Sequence, residues 1–452
     1  MAALLLVLSA CQTPYVSHAE TVRSLVRAER FGEAADQEAS YQARYSEGER
    51  ILALLNYGAL LHDAGRFRES NACLLEVQDR LADFYRRSAG GEVARSAISG
   101  VAGDYLAEDF ERILVHLYTI QNYLALGLRD DALVEVRRMT GRLGVLADVQ
   151  GHGRRYRGDG FAQWIAGLLY EEDGGASDAL ISYRAALAAF AQGGPPSEEV
   201  RALLCADAAR VAQRVGVSAD VQGCAEADAA RPEAGPLGRD GEVVLIHAAG
   251  QVAERTQRRT HCGFQADGLL WCRQEESQAA PSFKLVSIAV PELRPIAHQI
   301  RGAALRLGAS APLRAAVVED VTDIAIKTLE DRGAEYRRQA TTRALARVAA
   351  SVATGAGAAQ LDRRKGKGNV ALGALVGTLT DAALSETEEA DKRSWFTLPA
   401  TFAIARTRVS AGPHRIQVDL LDESGQTVRT VDFGTVTIEA GRRTWLGIRA
   451  GR

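Results

Sequence analysis

The chain has 452 residues, of which 25% are charged, and its formal net charge at pH 7 is −3. Such a length predicts roughly two or three domains, each large enough to bury a core of its own. The near-neutral charge argues against nucleic acid as the main partner, because phosphate binding requires a concentrated basic face. After the first residues no run of about 20 apolar residues occurs, so we expect no transmembrane helix.

The first residues predict a lipid anchor. Residues 1–10 are interpreted as a lipoprotein signal peptide. The apolar run 4–7 leads into Leu8-Ser9-Ala10-Cys11, which is typical of the signal-peptidase site of bacterial lipoproteins. Cys11 would carry the acyl chains that hold the protein at a membrane. Gln12, rather than aspartate, favours the outer membrane of a Gram-negative source, with the protein facing the periplasm. No Lys or Arg precedes the run, so we expect the true start to lie upstream; the alternative is a buried helix with an incidental cysteine.

Residues 11–224 predict a helical-repeat domain. Glycines at helix turns (Gly65, Gly127 and Gly174) separate first helices that carry small residues from second helices that carry aromatic or small ones. This pattern resembles the tetratricopeptide (TPR) repeat, in which small residues let paired helices approach each other. The turn glycines are not evenly spaced, so we expect three to four degenerate helix pairs. The alternative is an irregular helical bundle without a binding groove.

A linker at 225–241, rich in glycine and proline, precedes a β-rich domain at 242–452. Short runs of alternating apolar and polar residues between turns predict a β-sandwich-like fold, either immunoglobulin-like or transthyretin-like. The predicted strands lie at 242–247, 285–290, 303–307, 313–318, 402–409, 416–420, 428–430, 436–438 and 445–447.

A helical insertion interrupts the predicted strands at about 319–385. Its second part, 344–385, contains Gly373-x-x-x-Gly377, a spacing that lets two helices pack closely. The apolar segment 370–384 is too short to span a bilayer. We expect a helical hairpin packed on the sheet; the alternative is a hairpin that touches the membrane or oligomerises, with the basic turn 362–368 near anionic lipid.

The cysteines predict two disulfides in an oxidising compartment. Cys262 and Cys272 flank an Asp-Gly hairpin signal, and antiparallel strands there would bring the two residues together. Cys205 and Cys224 would close a loop between a helix and the linker. Cys73 lies on an apolar helix face and is expected to be a buried thiol. A zinc site is the weaker interpretation, because no C-x-x-C motif is present.

No catalytic constellation or phosphate-binding loop is found in the sequence, and no cofactor or metal is expected. Arg154, Arg155 and Arg157 form a basic segment before a predicted helix. It is either a solvated loop or a contact for an acidic ligand. The dense acidic cluster around Glu386 and Glu388 is expected to cap and solvate a helix end, although a peptidoglycan-acting enzyme would need such carboxylates.

Three segments resemble an uncharacterised family of bacterial lipoproteins with TPR-like N-termini. They are 241–247, 285–291 and, most specifically, 389–400, which reads Glu-Ala-Asp-Lys-Arg-Ser-Trp-Phe-Thr-Leu-Pro-Ala. The resemblance covers nearly the whole chain and implies an exported lipoprotein of the cell envelope with no established activity. Within 389–400, Asp391, Arg393 and Trp395 would form either a structural corner or an exposed patch that binds a partner.

The sequence as a whole predicts an α+β multidomain protein, with a TPR-like α-solenoid followed by a β-sandwich-like domain. We expect a non-enzymatic scaffold that is anchored in the membrane and binds an envelope protein or peptide through the solenoid groove. Two alternatives stay open. One is a protein that acts on or binds peptidoglycan or another glycan, and the other is a structural component that forms homo-oligomers through the Gly/Ala-rich hairpin.

Overall fold

The computed structural model describes residues 14–87, 104–148, 158–193, 197–217, 224, 237–264, 270–273, 285–342 and 389–452. The described part mixes helices and strands, with helices in its N-terminal portion and mainly strands in its C-terminal portion. Cys11, the segment 149–157 and the segment 343–388, which holds most of the predicted helical hairpin, lie outside the described residues.

The N-terminal portion consists of helices that pack against their neighbours in sequence. Contacts join α3 to α4, α5 to α6 and α7 to α8, as the predicted helix pairs require. The helices are α1 (Pro14–Arg27), α2 (Phe31–Tyr41), α3 (Arg50–Asp63), α4 (Phe67–Arg87), α5 (Asp109–Ala125), α6 (Arg129–Asp148), α7 (Gly160–Glu172), α8 (Ala176–Gly193) and α9 (Glu198–Arg214).

Glycine shapes these pairs in two ways. At the turns, Gly65, Gly127 and Gly174 have φ values of 76°, 73° and 86°, a left-handed conformation that ends a helix and disfavours other residues. Within the first helices, glycine lets the second helix approach. A Cβ on Gly58 would lie 2.8 Å from Leu74 Cδ2, and one on Gly167 would overlap the Tyr183 ring. The predicted turn positions are therefore confirmed.

The strands form three sheets. The first has the order β11-β1-β8-β7, the second β10-β9-β5-β6 and the third β3-β2-β4. The strands are β1 (Asp240–Ala249), β2 (Glu254–Phe264), β3 (Leu270–Arg273), β4 (Leu285–Arg294), β5 (Gly302–Leu307), β6 (Leu313–Arg314), β7 (Ala316–Asp320), β8 (Thr401–Ser410), β9 (Gly412–Leu421), β10 (Thr427–Ile438) and β11 (Arg443–Ala450).

Every predicted strand overlaps an observed one, but the pairing of β1 could not be predicted from the sequence. β1 lies between β8, which runs antiparallel to it, and β11, which runs parallel and places Val244 beside Trp445. The helical insertion stays a prediction, but its first part contains a helix. Helix α10 (Val321–Asp331) follows β7 directly, with the Asp320 side chain accepting a hydrogen bond from the Asp323 amide as its N-cap.

The first sheet is the middle layer of the molecule. Val243 and Leu245 of β1 share an apolar cluster with residues of the second sheet, such as Val418. Val244 and Ile246 point the other way and belong to the cluster that contains the helices. Because β1 is buried on both faces, its middle part, 243–246, is a continuous apolar run. The helical and strand portions therefore share one core through this sheet.

The predicted linker cannot be traced through the described residues, since 225–236 lie outside them, and the boundaries at 225 and 242 stay predictions. Polar contacts nevertheless join the helical portion to the strand portion. The Gln251 side chain donates to the Arg23 carbonyl at 2.8 Å, and Arg449 Nε donates to Asp63 Oδ2 at 3.2 Å. In the described ranges no helix is long and apolar enough to cross a bilayer.

Candidate binding groove

A groove of about 430 Å³ runs between α6 and α8, and α7 forms its floor. Its walls are made mostly of small side chains, and its rim carries a few polar ones. The lining residues are Thr140, Leu143, Gly144, Ala147, Gly158, Gln163, Tyr170, Asp178, Ile181, Ser182, Ala185, Ala188, Ala189 and Gln192.

The sequence creates this groove by placing glycine and alanine at helical spacing. Gly144 and Ala147 stand on one face of α6, and Ala185, Ala188 and Ala189 stand on the facing side of α8. Side chains of this size leave space between two helices that larger residues would fill. The result is a concave, mainly apolar channel that is open along one side of the helical portion.

One large apolar side chain is exposed at the groove. Ile181 is 66% exposed, more than any other large apolar residue of the described chain. Polar groups frame it: the Asp178 carboxylate stands on the same helix, and Thr140 Oγ1 and Tyr170 Oη lie 3.1 Å apart across the floor. Ile181 thus extends the apolar lining of the groove to its rim, and contiguous apolar surfaces with a polar rim commonly bind another macromolecule.

The described lining offers little chemistry. It contains one carboxylate, Asp178, and no imidazole, thiol or amine. Across the described ranges no group of three or more His, Cys, Asp or Glu side chains is arranged to hold a metal ion. The polar groups of the lining are thus one carboxylate, two amides and three hydroxyls, those of Thr140, Tyr170 and Ser182.

Asp391, Arg393 and Trp395 lie together inside the molecule. Arg393 donates through Nε and Nη2 to the two Asp391 carboxylate oxygens at 3.0 and 2.9 Å. Trp395 is 1% exposed, and its indole donates to Thr397 Oγ1 at 3.1 Å. A side chain so placed has almost no surface to offer to a partner, and the arrangement is that of a corner between the helices and the sheet.

The cysteines follow the predicted pairing where they can be seen. Cys205 and Cys224 form a disulfide, with their Cα atoms 5.6 Å apart. Cys262 and Cys272 lie directly opposite each other in the β2–β3 hairpin, but their side chains are outside those described, so their disulfide stays a prediction. Cys73 is half-buried, and burial raises the pKa of its thiol to about 11, which keeps it unreactive.

Arg154, Arg155 and Arg157 lie in the segment 149–157, outside the described residues. This segment connects α6 to α7. Gly158, which follows it directly, lines the groove. The role of the basic segment as a solvated loop or a ligand contact stays a prediction.

The sequence analysis missed a cluster of six buried charges between the helices and the first sheet. Arg406 donates to Glu242 at 2.8 Å and also pairs with Asp207. Arg443 donates to Glu242 at 2.7 Å and to Glu171 at 2.9 Å. The sixth member, Arg210, donates to Glu171 at 2.6 Å and to Asp207 at the same distance.

The charges of this cluster compensate one another, and Arg214 also lies 3.7 Å from Glu171 at its edge. Its three arginines balance its three carboxylates, and the neighbouring side chains Trp164 and Tyr183 donate to Asp207 and Glu171 at 2.8 and 2.9 Å. Burial alone would raise the pKa of Glu171, but the Arg210 hydrogen bond and the positive charge of Arg443 outweigh it and lower that pKa to about 2. A fully paired cluster of this kind holds two elements in register, and its residues are separated too widely in sequence for spacing to reveal it.

Comparisons with known proteins add no constraint. No protein-family model matches the chain. No curated protein matches it either. The resemblance to envelope lipoproteins thus stays a prediction, and the groove has to be interpreted from its own geometry.

Proposed function

We propose that this protein is a lipid-anchored scaffold of the bacterial cell envelope that binds an apolar helical segment of another envelope protein. The anchor is Cys11 in the outer membrane, and the protein faces the periplasm. The observation that carries the binding proposal is the groove between α6 and α8, with its small-residue walls and the exposed Ile181.

A helix is the occupant that suits these walls. Recognition of an amphipathic helix commonly places its apolar face in a groove between other helices. Gly144, Ala185 and Ala188 would let an added helix approach closely, and Ile181 would supply an apolar anchor at the rim. In this proposal the helix pairs of α3–α8 act as a TPR-like solenoid. The two larger sheets act as a β-sandwich that supports it.

The groove is tested by crosslinking in cells. A photo-crosslinking amino acid replaces Ala188 in the full chain, expressed in a Gram-negative host, and the crosslinked products are identified. We expect one dominant envelope protein, joined through an apolar helical segment. Ile181→Asp places a charge on the anchor and should reduce that product at least tenfold. Val134→Asp, on an exposed position of α6 outside the groove lining, is the matched control and should keep it.

Two results would contradict the proposal that this groove binds the partner. One is the same product in the Ile181→Asp and wild-type chains, and the other is an equal loss in both aspartate variants. Crosslinks to peptidoglycan or another glycan, instead of to a protein, would favour a peptidoglycan-related role. Crosslinks between copies of this chain would favour the homo-oligomer.

The anchor is tested separately. Cys11→Ala removes the lipidation site and leaves every described residue unchanged. We expect wild type in the outer-membrane fraction and the variant in the soluble periplasmic fraction, with equal tryptophan fluorescence of the two folded proteins. If both chains appear in the same fraction, the lipid anchor is wrong, and the envelope location loses its main support.

A further inference from the structure

A second cavity, of about 160 Å³, lies where α3 and α5 meet the edge strand β11, and it shares no residue with the groove. Its apolar wall includes Leu124, Ile246 and Phe402, which come from a helix and two strands. Its polar wall is formed by His62, Asp63, Tyr118, Trp445 and Arg449. A cavity this small suits a ligand of a few heavy atoms, since drug-sized pockets are about 300 Å³ or larger.

Three hydrogen-bond donors of this polar wall have no partner among the described residues. They are the Tyr118 hydroxyl, the Trp445 indole Nε1 and Arg449 Nη2, and each of these atoms is buried. Tyr118 is 1% exposed and Arg449 is 9% exposed. Leaving a buried donor unpaired costs about 1–3 kcal/mol, more for a charged group, so three in one cavity require an explanation.

The carboxylate and the imidazole of the same wall each have a partner among the described residues. Asp63 Oδ2 accepts a hydrogen bond from Arg449 Nε at 3.2 Å. This contact orients the guanidinium, and Nη2 has no partner among the described residues. His62 Nδ1 lies 2.6 Å from Asn122 Oδ1. Burial lowers the pKa of His62 to about 4, against the opposing effect of that hydrogen bond, so the imidazole is neutral at pH 7. These contacts leave the three donors of the wall without an acceptor among the described residues.

The strand β11 explains how the donors come to share one cavity. Successive side chains of a strand alternate between its faces, so Trp445, Gly447 and Arg449 point to the same side. Gly447, between the two donors, has no side chain, and a Cβ built on it would meet nothing within 4 Å. The glycine is exposed and thus leaves an opening between the indole and the guanidinium.

We infer that this cavity binds a small carboxylate with a short apolar chain. The two carboxylate oxygens would accept hydrogen bonds from Arg449 Nη2, Tyr118 Oη and Trp445 Nε1, and hydrogen bonds of this charge-assisted type are the stronger ones. The apolar chain would lie against Leu124, Ile246 and Phe402. The site is separate from the α6–α8 groove and does not depend on its function.

Butyrate is the probe, because its four carbons and carboxylate match this chemistry, and butyramide is its uncharged twin of nearly equal shape. Binding of both to the full chain is measured by calorimetry and by ligand-observed NMR. We expect butyrate to bind at least tenfold more tightly than butyramide, since the amide offers one acceptor and no charge. Failure of wild type to bind butyrate, or equal affinity for the two probes, would overturn the inference.

Two variants locate the site. Gly447→Leu fills the opening without touching a donor and should abolish butyrate binding, whereas Gly141→Leu, at a helix glycine with equally free space, should leave it unchanged. Tyr118→Phe removes one donor and should weaken butyrate binding about tenfold. Butyrate binding that survives in Gly447→Leu, with the variant folded, would place the ligand elsewhere and overturn the assignment.

The thermal midpoint of the Tyr118→Phe variant separates a ligand donor from a structural one. Because the hydroxyl has no partner among the described residues, its removal should leave the midpoint of the ligand-free protein unchanged or higher. A lower midpoint together with unchanged butyrate affinity would show a purely structural hydroxyl, contrary to the inference.

Discussion

Single residues determine how the helices and the first sheet fit together. Six charged side chains meet in the buried cluster, where Arg406 and Arg443 of the sheet reach carboxylates of the helices, Asp207 and Glu171. A buried ion pair adds little to stability relative to an apolar pair, but removal of one partner leaves a charge without compensation. The cluster therefore acts mainly on specificity: other dockings of helices on sheet would leave charges buried and unpaired.

Arg406→Met should lower the free energy of unfolding by about 3–5 kcal/mol, because Asp207 and Glu242 would lose their shared partner while staying buried. Urea unfolding followed by circular dichroism measures the change. Arg415→Met is the matched control: Arg415 also pairs with an aspartate, Asp432, but its side chain is 65% exposed, and the midpoint should scarcely move. Equal effects of the two substitutions would argue against a structural role for the cluster.

His247 makes the stability depend on pH in a predictable direction. Both of its ring nitrogens are buried without a partner among the described residues. Burial, aided by the nearby charge of Arg449, lowers its pKa to about 4 from the ordinary value of 6.5. The folded state thus prefers the neutral ring, and its stabilising effect is present above about pH 6.5 and is lost as the pH falls toward 4.

His247→Phe should remove this contribution. The free energy of unfolding of wild type, relative to that of the variant, should fall by about 1–3 kcal/mol between pH 7 and about pH 4.5, as one pKa unit corresponds to about 1.4 kcal/mol. Guanidinium titrations at a series of pH values measure the difference. The comparison also cancels the opposite trend of Glu111, whose pKa is raised to about 7 by burial. A constant difference between the two proteins over this range would contradict the prediction.

At the scale of elements, the sequence predicted the features that depend on residues close together in the chain. The glycines at the turns and the small residues inside first helices marked the helix pairs, and Gly167 against Tyr183 shows why. The parallel pairing of β1 with β11 could not be predicted, because the two strands are almost 200 residues apart and no spacing rule links them. The groove was expected as a TPR-like feature, but its position depends on how α6 and α8 diverge.

Gly167→Ala should destabilise the protein by about 1–3 kcal/mol, because the new methyl group would overlap the Tyr183 ring in a close-packed interface. The urea midpoint measures this effect. Gly141→Ala, in the exposed face of α6 where no atom lies within 4 Å of the new Cβ, should instead raise stability by up to about 1 kcal/mol through helix propensity. A neutral result for Gly167→Ala would mean that α7 and α8 are less closely packed than described.

At the scale of the whole molecule, the helical and strand portions share buried contacts. They share an apolar cluster that includes Phe161 and Phe402, whose rings stack 5.6 Å apart. They also share the buried charges, with Asp207 contributed by a helix and Glu242 by a strand. Chain length predicted two or three domains, each large enough to bury a core of its own, and that division stays a prediction. Only the three-dimensional arrangement shows the apolar cluster that both portions share, because the residues that form it are far apart in sequence.

The two portions should therefore unfold together. Tryptophan fluorescence and far-ultraviolet circular dichroism should give coincident urea transitions for the full chain. A fragment of residues 237–452 should not fold alone, because it would expose the helix-facing side of β1 and leave Arg406 and Arg443 without Asp207 and Glu171. Two separated transitions, or a folded fragment with dispersed NMR signals, would show independent domains instead.

The position of β11 has a consequence for biogenesis. This strand closes the edge of the first sheet beside β1 and brings Arg443, Trp445 and Arg449 to the helices. It is synthesised after every other described element, so the nascent polypeptide cannot complete the sheet or neutralise Glu242 and Glu171 until translation has passed residue 450. Until then these carboxylates lack Arg443, and β1 lacks its parallel neighbour.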